Sequence, residues 1–336
     1  MFIKKRILIS GICSIVALGG IFIHFVFFSP NTRKAHDRLE LKEKTSCGSL
    51  LNELKKKRII KNTLSFKIAA SFFRKRLAKQ GSYKINENIS NFELLNKLTR
   101  GEQDPIKITI GPFDTLEELA IYLDQRLLFS KKEFLDFCHN ESLLEEYNVN
   151  ENTVLTLFLS NTYQFYWNVP VEKFFNKMFS EFNNFWTKER LDKAKNMKFT
   201  PNEVIILASI VEKEIIRKEE ASRVAGVFIN RLKSKMRLQS CPTTFYARKY
   251  DPKDGDNDKI MRCAKSRYNT YRYGGLPIGP ICIPSLQTID AVLNYEKHDF
   301  LFFVTAPDRT HHLFAQTFDN HRKNIRYTFR LNQKSR

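Results

Sequence analysis

Residues 7–28 read ILISGICSIVALGGIFIHFVFF and contain no Asp, Glu, Lys or Arg. A run of about 20 apolar residues is what a helix needs to cross the hydrocarbon layer of a bilayer. A cleaved signal peptide has a shorter apolar region, about 7–15 residues, followed by small residues at the cut. Here the run is longer and ends in Phe27, Phe28, Ser29 and Pro30. These features favour a retained single-pass anchor over residues 1–30. Lys4, Lys5 and Arg6 precede the span, which favours a cytoplasmic N-terminus. Arg33, Lys34 and Arg38 follow it, so the charge rule alone does not decide the orientation. The tail before the span is too short to carry a function. The working part therefore follows the span, outside the cytoplasm.

The chain has 336 residues, enough for roughly two domains. Its 42% hydrophobic content, with 29 Phe, supplies a core and excludes a disordered chain. Only 12 Gly and 11 Pro exclude collagen-like character. Fifty-six Lys and Arg against 36 Asp and Glu leave a net charge of +20. That charge is spread over LKKKRIIK, FFRKR, IIRK, RLKSKMR and HRKNIRYTFR, with no RNA- or DNA-binding motif beside it. An extracytoplasmic chain of this kind is expected to have no nucleic-acid partner. An anionic membrane and simple composition bias are the remaining readings of that charge. The six cysteines form no CxxC pair and have no His at zinc-finger spacing. A disulfide among Cys241, Cys263 and Cys282 is open, and free thiols are the simpler reading.

After the span, residues 31–45 are polar and charged and are expected to form a tether. Residues 46–105 then read as a small α+β module. An amphipathic helix carries Leu50, Leu51 and Leu54 on one face, and a second helix covers 64–79 with Phe72, Phe73 and Leu77. A short strand follows at 81–85, and Ser90 caps a helix from 91 to 98. Residues 106–336, with a core over 200–325, read as a larger α+β domain. Within it IKITI at 106–110 alternates like a strand, and Thr115-x-x-Glu118 forms a capping box for a helix through Leu127. The stretch TLFLSNTYQFYWNVP suits core packing and ligand contact equally well. Residues 171–186 carry a Phe-rich stripe suited to a core helix.

Thr200-Pro201-Asn202-Glu203 supplies a cap, a first-turn proline and a reciprocal carboxylate for the helix that continues VIILASIVEKEIIRK. At about 100° per residue, Glu203, Leu207, Ile210, Val211 and Glu214 share one face, while Glu212 points away. A carboxyl on a buried face is costly to ionise and rises in pKa, as a general acid at neutral pH requires. The alternative is that Glu214 lies past the core edge and pairs with Lys218 at i,i+4. Downstream, Gln239, Thr243, Asn269, Thr270 and Tyr271 sit in turn-rich segments near Gly274, Gly275, Pro277, Gly279 and Pro280. Amide and hydroxyl groups converging on loops suit a hydroxyl-rich ligand. The run GLPIGPICIP excludes regular helix and central strand, so it is a shaped loop.

From about Ser46 to the C-terminus the chain resembles the endolytic murein transglycosylases of the MltG (YceG-like) family. The resemblance rests on LASIVEKE, AGVFINRL, MRLQS-x-PT, YNTY-x-x-x-GLP-x-GPI and HLFAQT, in that order, with LSNTYQFY upstream. It implies a single-pass inner-membrane enzyme with a LysM-like module at 46–105 and a YceG-like catalytic domain at 106–336. The implied activity is endolytic cleavage of the MurNAc–GlcNAc β-1,4 bond of nascent peptidoglycan, leaving 1,6-anhydroMurNAc ends and terminating glycan elongation. By resemblance Glu214 is the catalytic acid. Gln239, Thr243, Asn269, Thr270, Tyr271 and His312 surround the sugars. No metal or cofactor is implied. Glycan strands are the partner, and peptidoglycan synthases are admitted as others.

The chain departs from the family pattern at three places. Cys241 stands where the family usually has Asp, Ile278 replaces the loop's second Pro, and Ser160 replaces a Pro. Cys241 puts any role for an acid at that position in doubt, and it keeps a second reading open. That reading is a non-catalytic, membrane-tethered peptidoglycan-binding or divisome scaffold protein.

Overall fold

A computed structural model describes residues 2–33, 38–250 and 265–334. The chain divides into two compact units. Unit 1 comprises Met1–Lys107 with Arg126–Leu128 and Gln164–Val169, and unit 2 comprises Ile108–Gln125, Phe129–Tyr163 and Pro170–Arg336. Both units mix helix and strand.

Unit 1 begins with α1 (Phe2–Ile23), extended by a π-helical turn at His24–Phe28. From Ser10 to Phe28 this is one helix long and apolar enough to cross a membrane. Then come β1 (Leu39–Leu41), β2 (Thr45–Ser46), α2 (Leu50–Lys56), α3 (Thr63–Phe72), β3 (Leu77–Ala78), β4 (Gly81–Tyr83) and α4 (Asn91–Arg100). Strand β1 pairs antiparallel with β4, Leu39 opposite Tyr83, and β2 pairs antiparallel with β3. Leu39, Leu41, Leu50, Leu54, Phe66, Tyr83, Leu94 and Leu98 form its core.

Two expectations are corrected here. The tether does not extend through residues 38–45, because Leu39 and Leu41 are buried and paired in a strand. A Leu-x-Leu step is too short to stand out from its polar flanks, and it is the pairing partner that makes it a strand. The helix expected over 64–79 stops at Phe72, because Leu77 and Ala78 leave helical geometry to pair with Thr45 and Ser46. The Ser90 cap forms as expected, with a full capping box to Glu93.

Strand β5 (Ile106–Thr109) leads to α5 (Leu116–Asp124), α6 (Lys131–Cys138) and α7 (Glu141–Glu146). Strand β6 (Thr162–Phe165) precedes α8 (Val171–Phe185), α9 (Lys188–Asn196) and α10 (Pro201–Glu214). The aromatic stretch resolves as core: Phe158, Tyr163, Phe165 and Trp167 are buried, and Tyr166 alone among its rings is strongly exposed. Phe134, Phe158, Phe174 and Phe175 interlock, with Phe158 and Phe175 edge-to-face at 5.4 Å.

Helix α10 is the axis of unit 2. Its start has the complete Thr200–Glu203 capping box with Pro201 in the first turn. Every residue from Val204 to Val211 is buried, so the helix is enclosed on all sides and not along one stripe alone. Helices α9, α11 (Ala221–Lys233), α12 (Cys241–Tyr250) and α13 (Leu286–Leu293) pack around it. A bidentate Arg190–Asp290 pair, at 2.8 and 3.0 Å, ties α9 to α13. The GLPIGPICIP segment is a loop, as its prolines require, and the Ile281 amide donates to Ser209 Oγ of α10 at 3.0 Å. The hairpin of β7 (Phe302–Thr305) and β8 (His312–Ala315) pairs Thr305 with His312 and packs against α14 (Phe318–Lys334). Cys241 is exposed and Cys282 buried, both as free thiols, and Cys263 lies outside the described residues.

Gly226, inside α11, shows how closely this packing is drawn. A Cβ there would come within 2.5 Å of the Glu296 carbonyl oxygen and 2.7 Å of His298 Nε2. Ala normally improves a helix interior by about 1 kcal/mol over Gly. In Gly226→Ala the clash outweighs that gain, and we expect destabilisation of about 1–3 kcal/mol, read as a lowered thermal midpoint.

Candidate active site

Helix α10 ends where its last residue opens onto a cavity of about 490 Å³ in unit 2. Glu214, Gln239, Cys241, Tyr271 and His312 line it, with Arg231 and His321. Phe228, Leu238, Phe302, Phe303 and Phe318 supply apolar wall. Glu214 is the only carboxylate among these lining residues.

The two acids near the helix end have different surroundings. Glu212 accepts from the Ser285 amide at 3.2 Å, the Ser285 hydroxyl at 2.9 Å and the Thr288 hydroxyl. It thus braces the start of α13. Glu214 is half-buried and accepts the Ser240 hydroxyl at 2.5 Å, rather than pairing with Lys218, which is exposed. Burial is the largest influence on Glu214 and pushes its carboxyl above the usual range. Three groups act in the opposite sense: the Ser240 hydroxyl, the charge of Arg231 and the Cys241 backbone N–H. Ser240 and Cys241 lie at the start of α12, so the carboxylate meets a helix N-terminus, which favours negative charge.

Arg231 is itself buried. Its guanidinium donates to the Leu301 and Leu238 carbonyls, both at 2.6 Å, and lies 5.3 Å from the Phe302 ring centre. Burial pulls its pKa down, while Tyr271 and Glu214 hold it up. An arginine stays charged even so, which fixes a cation behind Glu214.

The residues singled out from sequence fall into two groups. Gln239, Tyr271 and His312 line the cavity with Glu214. Thr243, Asn269 and Thr270 are buried and absent from its wall. Thr243 donates to the Ser240 carbonyl at 2.8 Å, so in its 2.8 Å pair with Thr270 the Thr270 hydroxyl is the donor. The Ser240 amide in turn donates to Thr270 Oγ1 at 3.0 Å. These hydroxyls clasp the backbone that presents Ser240 to Glu214. The Asn269 side chain accepts from the Tyr271 amide at 3.0 Å and so shapes the turn that carries Tyr271. Gln239 sits at φ 50°, a left-handed conformation rare outside Gly, with its N–H on the Thr270 carbonyl. The Tyr271 hydroxyl is 3.2 Å from the Cys241 thiol. His312 is held from behind by Glu220, which accepts its backbone N–H at 2.7 Å and faces its Nδ1 at 3.2 Å.

Residue type and spacing do not point to Ser240, Arg231, Glu220 or His321. The first two lie inside the MRLQS and AGVFINRL motifs, so their motif position was the available signal. His321 has no such cue. Its ring stacks on Phe302 at 5.2 Å, and its buried Nδ1 has no hydrogen-bond partner among the described residues. Burial first, then Arg231, lowers its pKa and favours the neutral imidazole.

A model of the YceG-like family matches residues 39–327. The endolytic murein transglycosylase of Bacillus subtilis strain 168 is 27% identical over 300 residues, 83% of this chain and 81% of that one. The protein of the same name from Streptococcus pneumoniae D39 is 27% identical over 305 residues, 81% of this chain but 54% of that one. The chain thus spans about half the length of the pneumococcal relative. A crystal structure of a YceG-like protein from Listeria monocytogenes superposes with a TM-score of 0.56 at 24% identity, covering 88% of this chain and 97% of that one. That likeness concerns the fold.

Two predictions follow from the surroundings of Glu214. A carboxyl raised above its unfolded value contributes stability that is complete below the unfolded carboxyl range and is lost as pH rises through the folded value. Glu214→Gln should therefore match the wild type in thermal midpoint at acid pH and gain on it towards neutrality. Ser240→Ala removes a donor that favours the charged form. The Glu214 carboxyl should then titrate at higher pH, measured by NMR on ¹³C-glutamate-labelled protein.

Proposed function

The chain belongs to the YceG-like family, and on that footing we propose that it is a membrane-anchored lytic transglycosylase of peptidoglycan glycan strands. The observation that carries the reading is the single carboxylate, Glu214, raised by burial at the edge of a cavity of about 490 Å³. Two relatives named endolytic murein transglycosylase support the substrate class.

A hydrolysing glycosidase usually needs two carboxylates, one for the leaving group and one for water or the anomeric carbon. A lytic reaction needs one. The protonated Glu214 gives its proton to the oxygen linking MurNAc to GlcNAc as that bond breaks. The carboxylate so formed takes the proton of the muramyl C6 hydroxyl as its oxygen bonds to C1. Glu214 returns to its starting state, no water is consumed, and the product carries a 1,6-anhydro ring. The substrate's own acetamido oxygen stabilises the positive anomeric centre between the two steps. Burial favours the protonated acid at neutral pH, while Ser240, Cys241 N–H and Arg231 limit the cost of the carboxylate. Gln239, Tyr271 and His312 supply amide, phenol and imidazole groups for sugar hydroxyls, and the Phe302 and Phe303 rings offer apolar faces. Thr243, Asn269 and Thr270 act behind this surface by holding the Ser240 and Tyr271 segments.

Cleavage within nascent strands would end their elongation next to the membrane. Residues 10–28 would anchor the protein in the cell membrane, with the part of unit 1 after the helix and unit 2 outside the cytoplasm. Val26 is built into the core of unit 1, which supports an anchor retained in the mature chain. The LysM-like reading of 46–105 belongs to this proposal as a glycan-holding module, and synthases that make the strands are its natural neighbours. Cys241, in the cavity wall, is the feature that favours the scaffold reading.

The full chain in detergent, incubated with uncrosslinked glycan strands, should yield 1,6-anhydroMurNAc ends by mass spectrometry. Glu214→Gln should reduce the rate roughly 10²–10⁴-fold, the usual scale of general acid–base catalysis. Undiminished cleavage by that variant would remove Glu214 from the reaction. Reducing ends would mean a hydrolase, and strand binding without cleavage by the wild type would leave the scaffold.

A further inference from the structure

The apolar helix does not stop short of the rest of unit 1 but runs into its core. Val26 is 1% exposed and part of the core, and the Asn91 amide donates to its carbonyl at 2.7 Å. The π-helical turn His24–Phe28 packs against α3 and α4. Whatever layer surrounds residues 10–25 must therefore end against the remainder of unit 1.

Around that entry point the unit leaves apolar surface uncovered. Phe72 is 73% exposed, Leu64 66%, Phe28 52% and Phe92 40%. The patch is continuous with the helix end, because Phe27 meets Phe72 at 5.3 Å and Phe28 meets Phe92 at 5.5 Å. Leu64, Ile68 and Phe72 follow i, i+4, i+8 along α3, which makes one stripe. Cations border it: residues 61–76 contain Lys61, Lys67, Arg74, Lys75 and Arg76 and no Asp or Glu. Arg76 lies over the Phe73 ring at 5.4 Å, and Lys61 donates to Asn88. The carboxylate of Glu93, next to Phe92 on α4, is occupied by the Ser90 amide and hydroxyl.

Exposed apolar patches of this kind mark interaction sites. Aromatic side chains flanked by Lys and Arg are the composition that settles at the headgroup level of a bilayer. We propose that this face of unit 1 is a membrane-docking surface for an anionic phospholipid bilayer. Phe28, Leu64, Phe72 and Phe92 enter the headgroup layer, while Lys67, Arg74 and Lys75 meet lipid phosphates. The continuity of the patch with the helix selects the bilayer as occupant, and the cations of 61–76, with no acid among them in sequence, select anionic lipid. Unit 1 then lies flush on the membrane. The inference rests on the proposed membrane anchor, but not on the chemistry of Glu214.

The test uses the full chain in nanodiscs whose lipids carry bromine either near the glycerol end or near the methyl end of the acyl chains. Phe72→Trp changes one exposed ring for another, and Ile15→Trp, at a 71% exposed position, reports on the span. The fluorescence added at position 72 should be quenched, more by the shallow bromines than by the deep ones, and position 15 the reverse. Replacing phosphatidylglycerol with phosphatidylcholine should lower quenching at position 72 roughly twofold, because the electrostatic attraction is lost. Quenching at 15 without quenching at 72 overturns the docking surface and leaves the anchor intact. Quenching at neither position overturns the anchor itself. Equal quenching at 72 in both lipids overturns the assignment to anionic headgroups.

Discussion

The cost of ionising a carboxyl at the end of an enclosed helix organises unit 2. Helix α10 is buried from Val204 to Val211, so its last turn brings Glu214 towards the cavity out of a region with little water. An uncompensated carboxylate there would be expensive. The surrounding structure reduces that cost without removing it. The start of α12 contributes the Ser240 hydroxyl and the Cys241 amide, and α11 contributes Arg231. Thr243 and Thr270 hold the Ser240 backbone in place, which is why residues outside the cavity still govern its chemistry. The result is a carboxyl that burial keeps above its usual range and that still has groups to stabilise its charge. A group required to give and then take a proton needs both properties.

Glu212 shows how strongly position within one turn matters. Only Lys213 separates it from Glu214 in sequence, yet it is saturated by Ser285 and Thr288 at the start of α13. One acid braces two helices together and the other faces open space. A single carboxylate in the cavity fits a reaction whose nucleophile is part of the substrate, and this links the geometry to the lytic proposal.

In unit 1 the governing constraint is the helix that enters its core. Val26 and Asn91 make the helix end a part of the fold rather than a leash. The same packing brings Phe72 and Phe92 beside the helix end and leaves them uncovered. Burying the helix end and exposing the aromatic patch are thus two consequences of one arrangement.

Local chemistry made a large part of this legible in sequence. The charge-free run, the Thr200–Glu203 capping box, the Ser90 cap and the proline-bound loop depend on neighbours in the chain, and each takes the form its residues dictate. The helical period also separated the directions of Glu212 and Glu214. Other features depend on partners distant in sequence. Leu39–Leu41 is a strand only because Gly81–Tyr83 lies beside it, and Leu77 leaves helical geometry for the same kind of reason. Thr243, Asn269 and Thr270 share a polar, turn-rich setting in sequence with Gln239 and Tyr271, but tertiary packing turns them inward. Arg231 and His321 reach the cavity from α11 and α14, and Ser240 reaches Glu214 from the start of α12, elements whose convergence no local pattern encodes. Sequence alone determined which segments could be helix, loop or span and which acid shared the buried helix face. Tertiary structure decided which polar groups face the cavity and which support it, because burial and hydrogen-bond partners are set by residues far apart in the chain.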